Sequence, residues 1–336
     1  FVPNRHLDLF ERIPVAGITN GLREDCWPQR LPALKCSVLR KWQARRGPQA
    51  PLFSNPAVQS EMLARDHTFD ADSLQRKGEL RRLLCLECFG HQPPGHPVLL
   101  TAVGRMAAQK NFDLIAEIIP RTLAYDTQAR FIILASAPGT DGAARAAQGR
   151  FQMLAQAYPG QVYFNPGFSP ALSRLILAGA DFALMPSRYE PCGLVDYEAS
   201  LLGTIVIGHL TGGLAKVRHC AYLYEWLDIS DRAGEAQAFF RAIQAALSTY
   251  RHDSRRHGAL MRQAMSLDAG WASSATQYVE LYRYGLLASR YLAARRRLLD
   301  GQLKSLGQDR ELFKRYFAPG LAEYGDPLDW ELKRRL

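Results

Sequence analysis

Asp181-Phe182-Ala183-Leu184-Met185-Pro186-Ser187-Arg188-Tyr189-Glu190-Pro191-Cys192-Gly193-Leu194-Val195-Asp196-Tyr197-Glu198 is the stretch that decides the reading of this chain. Phe182 to Met185 is a short continuous apolar run bounded by Pro186, the pattern of a strand buried on both faces. Leu194 to Leu202 then has helical spacing and no breaker. An acidic residue, a proline and a glycine therefore stand where a strand turns into a helix. In an open α/β sheet that place is the carboxyl end of a strand, where ligands bind. The turn Cys192-Gly193-Leu194 presents the first free N–H groups of the helix to that crevice, and such groups suit a phosphate. Glu190 and Glu198 are spaced E-x7-E, which puts one in the turn and the other about two helical turns along.

Working outward, the same alternation recurs. Pro97 to Gly104, Arg130 to Ala135, Gln161 to Phe164 and Thr204 to Gly208 read as further strands, with helices over Asn111 onward, Gly142 to Tyr158 and Pro170 to Ala178 between them. Strands alternating with helices imply βαβ units, a parallel Rossmann-like sheet with helices on both faces, and right-handed crossovers. Helices are expected over Gly234 to Thr249, Ser254 to Met265 and Trp271 to Leu287. Before the sheet, Phe69 to Phe89 reads as a helix opened by acidic residues, and 23–70, with five prolines, as one long irregular connection. Ile13 to Leu22 reads as a short strand ending in an Asn-Gly turn. The expected organisation is 1–94 as the end of an amino-terminal domain, an interdomain connection and a first helix, 95–287 as a Rossmann-like ligand-binding domain with closing helices, and 288–336 as an amphipathic helical extension.

Composition narrows the function. The chain has 336 residues, 47% hydrophobic and 22% charged, which suits a globular domain rather than a disordered one. Its formal charge is +10 and its pI near 9.4. The cations are spread and are not interleaved with aromatic rings, so nucleic acid is not the expected partner; a basic cleft for an anionic sugar nucleotide accounts for the excess equally well. No apolar run approaches a membrane span. Six scattered cysteines include Cys85-x-x-Cys88, which lies in an apolar helical run without a second pair at zinc spacing, so buried free thiols are expected. That usage fits a reducing cytoplasm. The eight histidines include no paired ligand spacing, and neither metal nor cofactor is expected.

Gly104-Arg105-x4-Lys110 places two cations at the end of a strand, a fork and a point charge that together suit a diphosphate; as a bare pattern it is equally at home on an ordinary surface. Glu190 either caps the following helix or binds sugar hydroxyls. Glu198 is either a solvated helix residue or a ligand for ribose hydroxyls. Thr211-Gly212-Gly213 reads as a flexible turn whose N–H groups hold a distal phosphate.

Ser187 to Leu194, followed by Thr211-Gly212-Gly213-Leu214, resembles the signature of glycogen/starch synthases. Gly104-Arg105-Met106-x2-Gln109-Lys110-x2-Asp113-Leu114-Ile115 is similar to the "GRL-x2-QKG-x-DLI" of that family, with Asn111 where the family has glycine. Ile18-Thr19-Asn20-Gly21 and Trp27-Pro28 resemble two further family segments, and Trp271 to Tyr282 its closing helix. Asp196 stands where the synthases often carry glutamine, and Ala135-Ser136-Ala137 replaces a Gly-x-Gly turn. The resemblance runs from about Ile13 to Tyr284 and implies the carboxy-terminal, donor-binding half of a two-domain GT-B fold. It implies transfer of glucose from ADP-glucose or UDP-glucose to an α-1,4-glucan with retention. By that resemblance Arg105 and Lys110 stabilise the departing nucleoside diphosphate, Glu190 orients the sugar, and Phe168 of Pro166-Gly167-Phe168 stacks on the base. A plastid location would follow for a plant-like source.

The K-x-G-G-L motif that the family carries in its first domain is not found. The chain, which begins at Phe1, is therefore expected to be a piece of a longer enzyme, inactive without an amino-terminal domain in the same or another chain. Two other readings stay open: a glucosyltransferase of the α-1,3-glucan synthase type, and a non-catalytic nucleotide-sugar-binding scaffold.

Overall fold

The computed structural model describes residues 18–22, 34–47, 50–137, 141–226, 228 and 230–299. Leu22–Ala269 forms one compact unit; the segments flanking it belong to a second, of which 18–21 and the last helix are described.

Six parallel strands build the sheet: β1 (Val98–Arg105), β2 (Ala129–Ser136), β3 (Val162–Asn165), β4 (Phe182–Met185), β5 (Ile205–His209) and β6 (Tyr222–Tyr224). Their order is β3-β2-β1-β4-β5-β6. The chain winds outward one way from β1 and, after returning to β4, outward the other way. That reversal opens a crevice between β1 and β4 at their carboxyl ends, the switch point of a doubly wound sheet. β1 is in register with β2 along its whole length, from Val98 opposite Ala129 to Arg105 opposite Ser136, and meets β4 only at Leu100 opposite Phe182 and Thr101 opposite Ala183. Beyond that contact the two chains part, and their turns face the crevice.

Side chains alternate across the strands and so divide the core into layers. Leu100, Ala102, Phe131 and Ile133 pack on one face against α4 (Phe112–Tyr125), α5 (Gly142–Ala157) and α8 (Arg232–His252). Leu99, Ile132, Leu134 and Ala183 pack on the other against α1 (Cys36–Arg46), α2 (Pro56–Ala64), α3 (Gln75–Phe89) and α6 (Pro170–Gly179). A third cluster joins α7 (Val195–Leu201), a 3-10 helix at Gly212–Cys220 and α9 (Ser254–Met265). The last helix, α10, is Trp271–Leu299. Short polar side chains set the helix starts: Asp141, Ser169, Asp231 and Asp253 each accept from the N–H three residues on, and Pro170 supplies the preset first turn of α6.

Three expectations need correction. The stretch 23–70 is not one irregular connection, because it contains α1 and α2. Pro56 does not break structure there: Asn55 accepts from Ala57 and Val58, and the proline occupies the first turn, where no N–H is needed. The helix expected from Phe69 begins at Gln75, since the Asp70 carboxylate folds back on Ser73 and on the Asp72 N–H at 3.1 Å and makes a turn instead. Tyr222–Tyr224 adds an edge strand where no strand is expected. The expected strand at Ile13 to Leu22 lies mostly outside the described residues, as do Trp27-Pro28 and residues 300–336; α10 carries the expected extension as far as Leu299. Cys85 is buried, and Cys85 and Cys88 are free thiols.

At the amino ends of β4 and β5, Lys77 of α3 is closed off from water. Its Nζ donates to Ala178 O, Leu202 O and Thr204 Oγ1, each at 2.9 Å. Burial pulls this ammonium down to about 7, with Arg81 adding to the fall and Asp181 opposing it.

Candidate functional site

The cation-bearing turn follows directly from β1. Arg105 ends the strand and is exposed, Met106 turns inward, and a 3-10 turn at Ala108–Lys110 precedes α4. Asn111 closes that turn in the left-handed conformation, φ 56° and ψ 40°. Its amide explains how a residue with a Cβ is held there: Nδ2 donates to Glu235 Oε1 at 2.8 Å, and Oδ1 accepts from Arg232 at 2.8 Å. The turn carrying Lys110 is thus tied to the start of α8.

Across the crevice, the exit of β4 carries Glu190, whose side chain is buried. Lys110 Nζ meets Glu190 Oε2 in an ion pair, and Ser187 Oγ lies 3.3 Å from the same oxygen. Arg188 N–H donates to Gln109 O at 2.8 Å, a second link between the two turns. Two strand ends eighty residues apart in the chain are therefore sewn together by one main-chain bond and one charge pair. Behind Ser187, the ring nitrogens of His209 lie 2.9 Å from Ser187 O and 3.0 Å from Trp226 O, and the ring stacks on Tyr224.

The two glycine turns pack on each other without room for a side chain. Gly213 N–H donates to Glu190 O at 2.6 Å. A Cβ on Gly213 would lie 1.9 Å from Cys192 O, and one on Gly212 would lie 2.2 Å from Glu190 O. The segment expected as a flexible Thr-Gly-Gly turn is the start of the 3-10 helix, and Thr211 N–H already donates to His209 O. Gly193 has φ +69°, a conformation that glycine takes without strain.

Two other residues singled out in the sequence lie on neighbouring elements. Glu198 is on α7 and pairs with Arg174 of α6 at 2.9 Å, both partly buried. Phe168, between β3 and α6, is 66% exposed, which places a large ring in solvent rather than in the core. Cys192 is partly buried and Leu194 exposed.

Lys216 carries no signal in the sequence, yet it sits beneath this turn. Its Nζ touches Cys192 O, lies 2.8 Å from Gly193 O and 2.7 Å from Asp196 Oδ2, and stands 4.4 Å from the centre of the Tyr197 ring. Burial pushes the Asp196 carboxyl above its ordinary range, and Lys216 opposes that rise. The Asp196–Lys216 contact is an ion pair whose angle falls short of a directed hydrogen bond. Only a tertiary contact over some twenty residues could have revealed it.

A cavity of about 220 Å³, lined by Arg65, Asp66, His67, Arg76 and Glu79, lies on the α2–α3 side of the fold. Arg65 there is already paired with Glu61 and Glu79. It shares no residue with the crevice between β1 and β4. Among the described residues no three His, Cys, Asp or Glu side chains cluster as metal ligands, and no helix is long and apolar enough to cross a membrane.

Comparison with known proteins agrees with this geometry. Residues 97–249 match the family model of glycosyl transferases group 1. The chain is 34% identical over 223 residues to a glycogen synthase of Desulforudis audaxviator, covering 64% of this chain and 41% of that protein. It is 35% identical over 223 residues to a glycogen synthase of Yersinia pseudotuberculosis, covering 64% of this chain and 44% of that one. The chain thus spans less than half the length of these curated relatives. Among solved structures, the catalytic domain of starch synthase IV from Arabidopsis thaliana, bound to ADP and acarbose, superposes with a TM-score of 0.56 at 29% identity, over 65% of this chain and 44% of that one. Strand order and the paired turns at the switch point thus lie within the region, residues 97–249, that is similar to glycosyl transferases group 1, and the wider likeness is to glycogen and starch synthases.

Proposed function

We propose that this chain is the donor-binding half of a retaining glucosyltransferase that takes glucose from ADP-glucose or UDP-glucose and adds it to an α-1,4-glucan. The observation that carries the reading is the convergence of Arg105, Lys110 and Glu190 at the β1–β4 switch point, in a domain similar to glycogen synthases. In this reading the nucleoside diphosphate lies at the carboxyl ends of β1 and β4. Phe168 offers a face to the base, Glu198 the ribose contact, and the Cys192-Gly193-Leu194 and Thr211-Gly212-Gly213 turns border the phosphates.

In the reaction the bond from the sugar C1 to the distal phosphate oxygen breaks, and its electron pair leaves on the diphosphate. The acceptor hydroxyl oxygen forms the new bond on the same face, and its proton passes to the departing diphosphate oxygen. Negative charge grows on the leaving diphosphate, where Arg105 and Lys110 stabilise the transition state more than the ground state. Before donor arrives, Glu190 neutralises Lys110. Sugar hydroxyls at Glu190 and phosphate at Lys110 would each replace half of that pair. These cations do the work that a metal does elsewhere, so no cofactor is invoked. The second half of the cleft, in the same or another chain, would hold the glucan acceptor.

The test is titration of the chain with ADP and with UDP, followed by amide chemical shifts or a soaked crystal. Shifts or density at Arg105, Lys110 and Glu190 are expected. Binding elsewhere, or none at millimolar nucleotide, removes the assignment.

A further inference from the structure

We propose that Lys216 is a positioning residue for the phosphate end of this site: by drawing the carbonyls of Cys192 and Gly193 inward, it turns the N–H groups of Gly193 and Leu194 outward. The inference rests on the nucleotide reading above and deepens it.

A peptide unit is planar, and in the trans form its C=O and N–H point in opposite directions. The plane that carries Cys192 O also carries Gly193 N–H, and the plane that carries Gly193 O also carries Leu194 N–H. Lys216 Nζ reaches both carbonyls, at 2.8 Å in the case of Gly193. No cis peptide occurs among the described residues, so both N–H groups must face away from Lys216. Neither donates to a protein acceptor among the described residues. Two successive planes held by one ammonium give two N–H groups aimed together, a concavity that suits an anion. The left-handed backbone of Gly193 permits the pair of orientations.

The ammonium directs hydrogen bonds at the two carbonyls and meets the Asp196 carboxylate as an ion pair on its remaining side. Its side chain is only 8% exposed and that of Asp196 1%. The buried carboxylate, 2.7 Å away, cancels the lysine's charge toward anything outside. What Lys216 contributes is therefore orientation rather than attraction, which sets it apart from Lys110. Gly213, whose N–H holds Glu190 O, pins the other end of the same turn, and Lys216 is carried by the same 3-10 helix, Gly212–Cys220.

The experiment uses the whole chain and ligand-observed NMR with ADP, UDP, adenosine and uridine. Lys216→Met alone would strand a buried carboxylate, so the informative variant is Lys216→Met with Asp196→Asn, which removes the holder without leaving a charge behind. Its affinity for nucleoside diphosphate is expected to fall at least tenfold, its affinity for the nucleoside to stay within twofold, and its melting temperature to stay within a few degrees. Asp196→Asn alone keeps Lys216 on the carbonyls and should hold diphosphate within threefold of wild type. A folded double variant with unchanged diphosphate affinity, or one that loses nucleoside and diphosphate alike, overturns the inference. So does a tenfold loss in Asp196→Asn alone, which also decides the matter if the double variant fails to fold. Wild-type chain that binds neither diphosphate removes the nucleotide reading itself, and this inference with it.

Discussion

Lys110 lies part-exposed in the crevice with Glu190 against it, whereas Lys77 is closed off from water and held by two helix-end carbonyls and a threonine. The two make opposite predictions. In the proposed reaction Lys110 and Arg105 each act on charge that appears only as the diphosphate leaves, so Lys110→Ala, or Arg105→Ala, in the complete enzyme should lower kcat by about 100-fold or more at saturating donor. The melting temperature should change little in Arg105→Ala and fall in Lys110→Ala, which leaves the buried Glu190 carboxylate without its cation, and near-normal kcat in either folded variant would take that residue out of the mechanism. Lys77→Met should leave nucleotide binding alone and change the pH dependence of stability. The folded value of about 7 lies below the unfolded one near 10.4, so between them the unfolded chain holds a proton that the native chain lacks. Stability therefore rises with pH across that window, by about 1.4 kcal/mol per unit from this group, and the burial penalty is fully present below it. Urea unfolding at a series of pH values should show that rise in wild type and lose it in Lys77→Met; an unchanged slope would mean that Lys77 stays charged in the native state. Lys110 is legible through its spacing from Arg105, while Lys77 and Lys216 have partners that only the folded chain assembles.

At the level of elements, the reason each strand was or was not legible is physical. β1, β2, β4 and β5 lie inside a parallel sheet covered on both faces and so read as unbroken apolar runs. β6 is three residues long at the sheet edge, too short to show any period. α1 has Leu39 as its only buried residue among lysines and arginines, so its apolar face is almost absent from the text. The site turns were legible as strand-to-helix junctions, but their mutual packing was not. Asn111 is an element-scale case: it joins the Lys110 turn to α8 while occupying a left-handed position. Asn111→Gly keeps the backbone and loses the amide bonds; Asn111→Ala loses both, and should be less stable than the glycine variant by about 1 kcal/mol. Thermal melts of the two side by side check this, and an alanine variant as stable as the glycine one would mean that the turn is not locked. Gly213→Ala is expected to be worse than either, because its Cβ would lie against main-chain oxygen rather than a side chain that can move.

For the molecule as a whole, the prediction follows from coverage. The chain spans 41% to 44% of the curated relatives it matches, and transfer requires donor and acceptor to be fixed together. Incubated alone with labelled ADP-glucose or UDP-glucose and a maltooligosaccharide, the chain should bind nucleotide without lengthening the glucan. An open half-site would at most hydrolyse donor slowly, since water is not shut out. Robust elongation by this chain alone would show that the acceptor side is already present within it.

The reversed winding of the sheet also bears on how the chain comes off the ribosome. β1 leaves the tunnel well before β4, the neighbour that will flank it, because Leu100 must wait for Phe182. A β1–β2 pair formed before then would leave open the side along Val98-Leu99-Leu100-Thr101-Ala102-Val103, with little charge to discourage a second chain from pairing there. Closing so long a loop is also slow. A nascent chain stalled or cut before Asp181 should therefore be a chaperone client and prone to aggregate, while β4, once seated in that gap, covers that side of β1.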